Sequence, residues 1–140
     1  MTTTQAATGQ DIAATAAPTN ALSLMALGRV LLAAASLAAP RGFAKIVGVT
    51  PSPELTYMTR IYGARACAMG LAYLTSATAQ RRRWKRFSLA VDTIDTVNGF
   101  AHLLRRDLPL RAALSMVALT GTYAAIGATE VAAEQFATSS

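Results

Sequence analysis

Ionisable side chains lie inside the apolar stretches of this chain, and no other feature limits its possible folds so much. Four stretches, Ala21–Ala39, Tyr57–Ala79, Phe87–Leu104 and Leu110–Thr129, approach the length of about 20 residues that crosses a bilayer. Arg29 is in the first, Arg65 in the second, and Asp92 and Asp95 in the third. An isolated Asp or Arg at the centre of an inserted helix costs about 2.5–3.5 kcal/mol, so such groups seek partners and face inward. The pattern predicts an all-α integral membrane four-helix bundle with a polar interior.

Composition agrees. Hydrophobic residues make up 53% of the chain and charged residues 14%, against about 25% charged in a typical soluble domain. Ala, Leu, Gly and Thr dominate, which suits helices that pack closely through small side chains. A soluble Ala-rich bundle is the alternative, because the stretches are short and punctuated by charge. The net charge of +6 does not point to nucleic acid: the basic residues sit at the ends of apolar stretches or inside them, without a basic helix face or interleaved aromatics. Cys67 is the only cysteine, so no internal disulfide forms. Residues 1–20 lack a positive n-region and are rich in Thr, Ala and Gln, and we expect a disordered tail.

Punctuation along the chain divides it further. Pro40, Arg41 and Gly42 stop the first span, and FAKIVGVT (43–50) is a short segment expected to lie in the membrane interface. PSPE (51–54) is a loop. On a helical second span, Gly63, Ala66, Cys67 and Gly70 share one stripe, a seam for close helix packing. RRRWKR (81–86) then reads as a short loop holding five of the thirteen basic residues. Arg81, Arg82, Arg83, Lys85 and Arg86 with Trp84 suit topology and an interfacial anchor, or a site for anionic lipid headgroups. Pro109 follows the third span, and residues 130–140 read as a C-terminal tail. Fairly short connections give an up-down-up-down order for the domain 21–129. Basic residues tie between the two faces, those of 81–86 against Arg41, Lys45, Arg105, Arg106 and Arg111. The density of the 81–86 cluster places both termini in the cytoplasm of a multi-pass cell-membrane protein.

The third span is amphipathic within its membrane length. At about 100° per residue, Asp92, Asp95, Asn98, Gly99 and His102 share one face, and Ile94, Val97, Ala101 and Leu104 the other. Counting inward from the turns sets Asp92 and Asp95 at the depth of Thr120, Thr122 and Tyr123. Arg29 falls roughly 6 Å from Asp95 along the axis at about 1.5 Å per residue. Arg65 counts to a depth nearer one face. The expected pair is Arg29 with Asp95 or Asp92, with Arg65 as second candidate. The cluster Arg29, Arg65, Asp92, Asp95, Asn98 and Tyr123 reads as a buried pair that fixes helix register, or as a ligand or proton site. Asp92, Asp95 and His102 lack a spacing specific for metal, so no metal and no cofactor are expected. No nucleophile elbow, phosphate loop or H-E-x-x-H appears, so no enzyme is expected.

LGRVLLAAASLAAP (27–40) with the following RGFAKIVGV resembles the first span of small DoxX-like membrane proteins. RIYGARACAMGLAYL (60–74) resembles the second span of an uncharacterised four-helix family in that general group, and DTIDTVNG (92–99) fits its third. The resemblance covers roughly residues 24–128. It implies four transmembrane helices and marks Arg29, Arg60, Gly63, Arg65, Gly70, Asp92 and Asp95. DoxX relatives are associated with membrane redox complexes and with sulfur or quinone chemistry, a role that no redox motif in this chain supports. The expected function is a small non-catalytic membrane protein, an accessory subunit whose partners are lipids with other membrane subunits or copies of itself. The alternatives are a lipid- or quinone-binding bundle around Arg29, Asp92 and Asp95, or a proton or solute pathway in an oligomer.

Overall fold

The computed structural model describes residues 20–138, and these form five helices and no strand. The expected disorder of residues 1–19 lies outside the described residues. Helix α1 (Asn20–Ala38) stops two residues before Pro40, because proline disfavours helical backbone in Ala39, the residue before it. The same proline opens the next helix. In α2 (Pro40–Val47) it occupies the first turn, where its missing N–H costs nothing. Gly48 ends α2 in the left-handed region at φ 88°, with its N–H turned back to the carbonyls of Ala44 and Lys45. The expected interfacial segment is thus a short helix that begins earlier than FAKIVGVT.

Helix α3 (Pro53–Thr75) starts from a cap that PSPE encodes. The Ser52 hydroxyl accepts a hydrogen bond from the Leu55 N–H at 3.1 Å, Pro53 fills the first turn, and Glu54 follows. The Ser52 hydroxyl and the residue's own backbone N–H hold the Glu54 carboxyl below its ordinary value. Only Ser76 and Ala77 separate α3 from α4 (Thr78–Arg105). RRRWKR is therefore not a loop: all six residues are in the first turns of α4. Helix α5 (Leu110–Thr138) follows Pro109 and runs well past Glu130. Residues 130–138 are helical, which corrects the expected tail; the Ala, Glu and Gln residues of VAAEQFA are good helix formers and carry α5 on.

Two close helix pairs make the frame. Helix α1 packs along α3 and α4 along α5, while the seams between the pairs are sparser. Glycines set the close approaches. A Cβ at Gly63 would meet Ser36 Cβ at 3.0 Å and the Ala33 carbonyl at 3.1 Å; one at Gly70 would meet Val30 Cγ2 at 2.7 Å and the Ala26 carbonyl at 2.9 Å. Gly99 is as tight against Val117 of α5, and Gly127 faces Leu89 of α4. In each pair residue numbers rise on one helix as they fall on the other, so both pairs are antiparallel. The seam read from the sequence is real at Gly63, Ala66 and Gly70, all buried, whereas Cys67 is half-buried.

Side chains are distributed inside out. The buried apolar residues are mostly alanines, with Leu22, Met69 and Tyr73, whereas Leu24, Leu31, Ile46, Met58, Ile94, Val97 and Leu104 are exposed. Arg29, Lys85, Ser88, Asp92 and Thr120 are buried. Most of the other arginines are exposed, so the buried charge is confined to a few positions inside the bundle. Helices α1 and α5 are each long and apolar enough to cross a membrane, and only a minority of the residues in either is buried.

Candidate functional site

Arg29 and Asp92 form the centre of the interior. Arg29 Nη1 donates to Asp92 Oδ1 at 3.1 Å and Nη2 to Oδ2 at 2.5 Å, a two-pronged pair between α1 and α4. Both side chains are almost fully enclosed, at 6% and 3% exposure. The Arg29 guanidinium also lies over the Tyr123 ring of α5, 4.7 Å from its centroid. Gly28 leaves room for that ring: a Cβ there would sit 3.3 Å from the Tyr123 hydroxyl. Of the two aspartates expected to take Arg29, Asp92 does so.

Arg65 takes the other aspartate. Its Nη2 donates to Asp95 Oδ2 at 2.6 Å, and its guanidinium lies 5.6 Å from the Tyr62 ring centroid. The depth count set Arg65 nearer one face. The chain turns at Ser76 and Ala77 rather than within residues 81–86, and Arg65 reaches Asp95 across the α3/α4 seam. The count from the other turn holds better: Thr120 and Tyr123 do lie beside α4's aspartate region. Thr96 Oγ1 is 3.0 Å from Thr120 Oγ1, and the Thr120 hydroxyl donates to the Met116 carbonyl at 2.9 Å.

Three expectations about the polar residues change. Asn98 is exposed and does not join the buried group. His102 Nδ1 meets Asp107 Oδ1 at 2.8 Å, beyond the end of the cluster, and no metal-binding group occurs among the described residues. Lys85 is buried and bonds Glu134 of α5, so it leaves the headgroup set; Arg82 Nε lies 3.9 Å from the same carboxylate. The remaining basic cluster is helical: Arg82, Arg83 and Arg86 are exposed, Arg81 is half-buried, and Trp84 stacks edge-on to Phe87 at 6.0 Å. Tyr62, Thr96 and the Lys85–Glu134 contact were not anticipated. The helix-forming composition around Glu134 was the available signal for the last of these.

Charge is divided between the two helix pairs. The α1/α3 pair contributes Arg29 and Arg65; the α4/α5 pair contributes Asp92 and Asp95. Glycine contacts hold each pair together, and ion pairs join one to the other across the sparse seams. Little space remains inside. The cavity beside Arg29, lined by Ala26, Met69, Gly70, Lys85 and Ser88 among others, is about 10 Å³, at most the room of one water molecule. The arrangement fixes four helices in register, and the cavity beside Arg29 is too small for an organic ligand. The chain matches no protein-family model, no curated protein and no solved structure.

Proposed function

We propose that this chain is a small non-catalytic integral membrane protein, an up-down-up-down four-helix bundle that serves as an accessory subunit of a larger membrane assembly. The observation that carries the reading is the inversion of the molecule. Leucine, isoleucine and phenylalanine face outward from all four long helices, while a closed Arg29–Asp92 pair occupies the middle. Hydrocarbon suits such an exterior and water does not. Helices α3 and α4 are less apolar than α1 and α5 because they carry Arg65, Asp92 and Asp95, and in the bundle all three charges are matched.

The closed interior favours a structural role over the quinone- or lipid-binding alternative, since a quinone ring needs far more than the 10 Å³ beside Arg29. The proposal carries the DoxX-like resemblance with it as a four-helix membrane family without redox function in this chain. Glu134 lies beside Lys85, so the C-terminal end of α5 shares a face with the basic cluster 81–86. The density of that basic cluster is the reason to assign the face to the cytoplasm, with both termini on it.

Affinity purification of the full chain in mild detergent tests the reading. A second polypeptide recovered in stoichiometric amount supports it. Recovery of this chain alone with bound lipid or quinone overturns it in favour of the binding alternative. Release from membranes by alkaline carbonate overturns the membrane assignment itself.

A further inference from the structure

The two interior ion pairs differ in how completely they are closed. Arg29–Asp92 is sealed and two-pronged, whereas Arg65–Asp95 is joined by one hydrogen bond and left open, at 46% and 25% side-chain exposure. Asn98, one turn further along α4 from Asp95, is exposed as well. Arg65 and Asp95 are each ten residues from the nearer end of their helices, and Asn98 is seven residues, about 10 Å, from the end of α4. Arg65 is at the middle of α3, ten residues from its nearer end, Thr75, which is about 15 Å at 1.5 Å per residue. An arginine side chain reaches less than half of that, so Arg65 does not extend to the headgroups. In hydrocarbon each unmatched polar group costs several kcal/mol, and acyl chains offer it nothing.

We infer that a second copy of this chain covers the Arg65–Asp95–Asn98 patch, forming a two-fold dimer through the α3/α4 face. The inference rests on the membrane reading above. The patch is self-complementary. The patch shows one cation beside one anion at a common depth. A two-fold axis along the membrane normal preserves depth, so it brings Arg65 against the partner's Asp95 and Asp95 against the partner's Arg65. The open donors of one guanidinium then meet the open oxygen of the other carboxylate, and the two amides of Asn98 face one another near the axis. Intramembrane asparagine and its amide partners join helices in this way. Exposed Ala64 and Ala68 on α3 permit a close approach beside Arg65.

The test is subunit counting of the full-length chain, fluorescently labelled and reconstituted at low density in liposomes. Wild type is expected as dimers. Asn98→Leu, which removes an exposed side chain and leaves both intramolecular ion pairs, is expected to weaken the dimer at least tenfold. Arg65→Asp is expected to dissociate it, and Arg65→Asp with Asp95→Arg to restore it, because the exchange preserves every pairing. In a Cys67→Ala background, Asn98→Cys is expected to oxidise to a covalent dimer. Wild-type monomers in liposomes overturn the inference, as does a dimer indifferent to Asn98→Leu or a different polypeptide crosslinked to position 98. Loss of the chain from carbonate-washed membranes overturns instead the membrane reading beneath it.

Discussion

Arg29 and Asp92, 63 positions apart in sequence, meet through two parallel N–H···O contacts that join the α1/α3 pair to the α4/α5 pair. Without that contact, the two most deeply buried charges, Arg29 and Asp92, have no fixed partner. A buried charge left alone is far worse than a buried pair or no charge at all. The interior is therefore specific in register and intolerant of single changes.

Glycine contacts inside each helix pair give the first prediction. Gly70→Ala would place a Cβ 2.7 Å from Val30 and 2.9 Å from a backbone carbonyl, so α1 must move. We expect a loss of about 1–3 kcal/mol, the usual range for overpacking. Gly121→Ala meets only Thr96 Cγ2 at an ordinary 3.6 Å. It should be neutral or stabilise by up to about 1 kcal/mol through helix propensity. Thermal unfolding in detergent compares the two; equal effects would contradict this packing.

Arg106 closes α4 in the left-handed region, at φ 55°, with its N–H bonded to the His102 carbonyl. Any residue with a Cβ is strained there and glycine is not. Arg106→Gly should raise stability by about 0.5–1 kcal/mol. A lower melting temperature for the variant would show that the arginine side chain does more than end the helix.

At the same end of α4, Asp107 responds to pH. Its hydrogen bond with His102 holds the carboxyl below its ordinary value. A depressed carboxyl gives stability that is present above its unfolded-state pKa of about 3.9 and lost as pH falls through the folded value. His102→Ala should move the Asp107 midpoint up towards that ordinary value. Carboxyl-carbon NMR titration in micelles reads it directly, and an unchanged midpoint would place the cause elsewhere.

Lys85 ties the start of α4 to the end of α5 through Glu134. Glu134→Gln leaves the buried ammonium without its counter-charge, and the cost of an uncompensated buried charge is about 3–5 kcal/mol. Arg82 beside the same carboxylate is exposed, and Arg82→Gln should change stability by less than about 1 kcal/mol. Hydrogen exchange should show the last turns of α5 loosened by Glu134→Gln alone; equal protection in both variants would remove the tether.

The sequence carried the helices, the seam at Gly63 and Gly70, and the inward turn of Asp92, because periodicity and residue size act locally. It did not carry the boundary between α3 and α4. Arginine is a good helix former, so a run of five basic residues with one tryptophan is as compatible with a first helical turn as with a loop. That boundary sets the register, and the register decides which arginine reaches which aspartate. Asn98 looked inward because it shares Asp95's side of α4, but it lies further round the helix, on the edge that leaves the bundle. Glu134 was hidden by reading an alanine-rich helix as a tail.

A double-mutant cycle on Arg29 and Asp92 tests the central claim most directly, with unfolding free energies measured in the same detergent for Arg29→Met, Asp92→Leu and both together. Each single variant should lose about 3–5 kcal/mol, and the double variant should lose less than the worse single one, because it leaves no unpaired charge. Additive losses, with the double variant the least stable of the three, would contradict an ion pair that clamps the two helix pairs together.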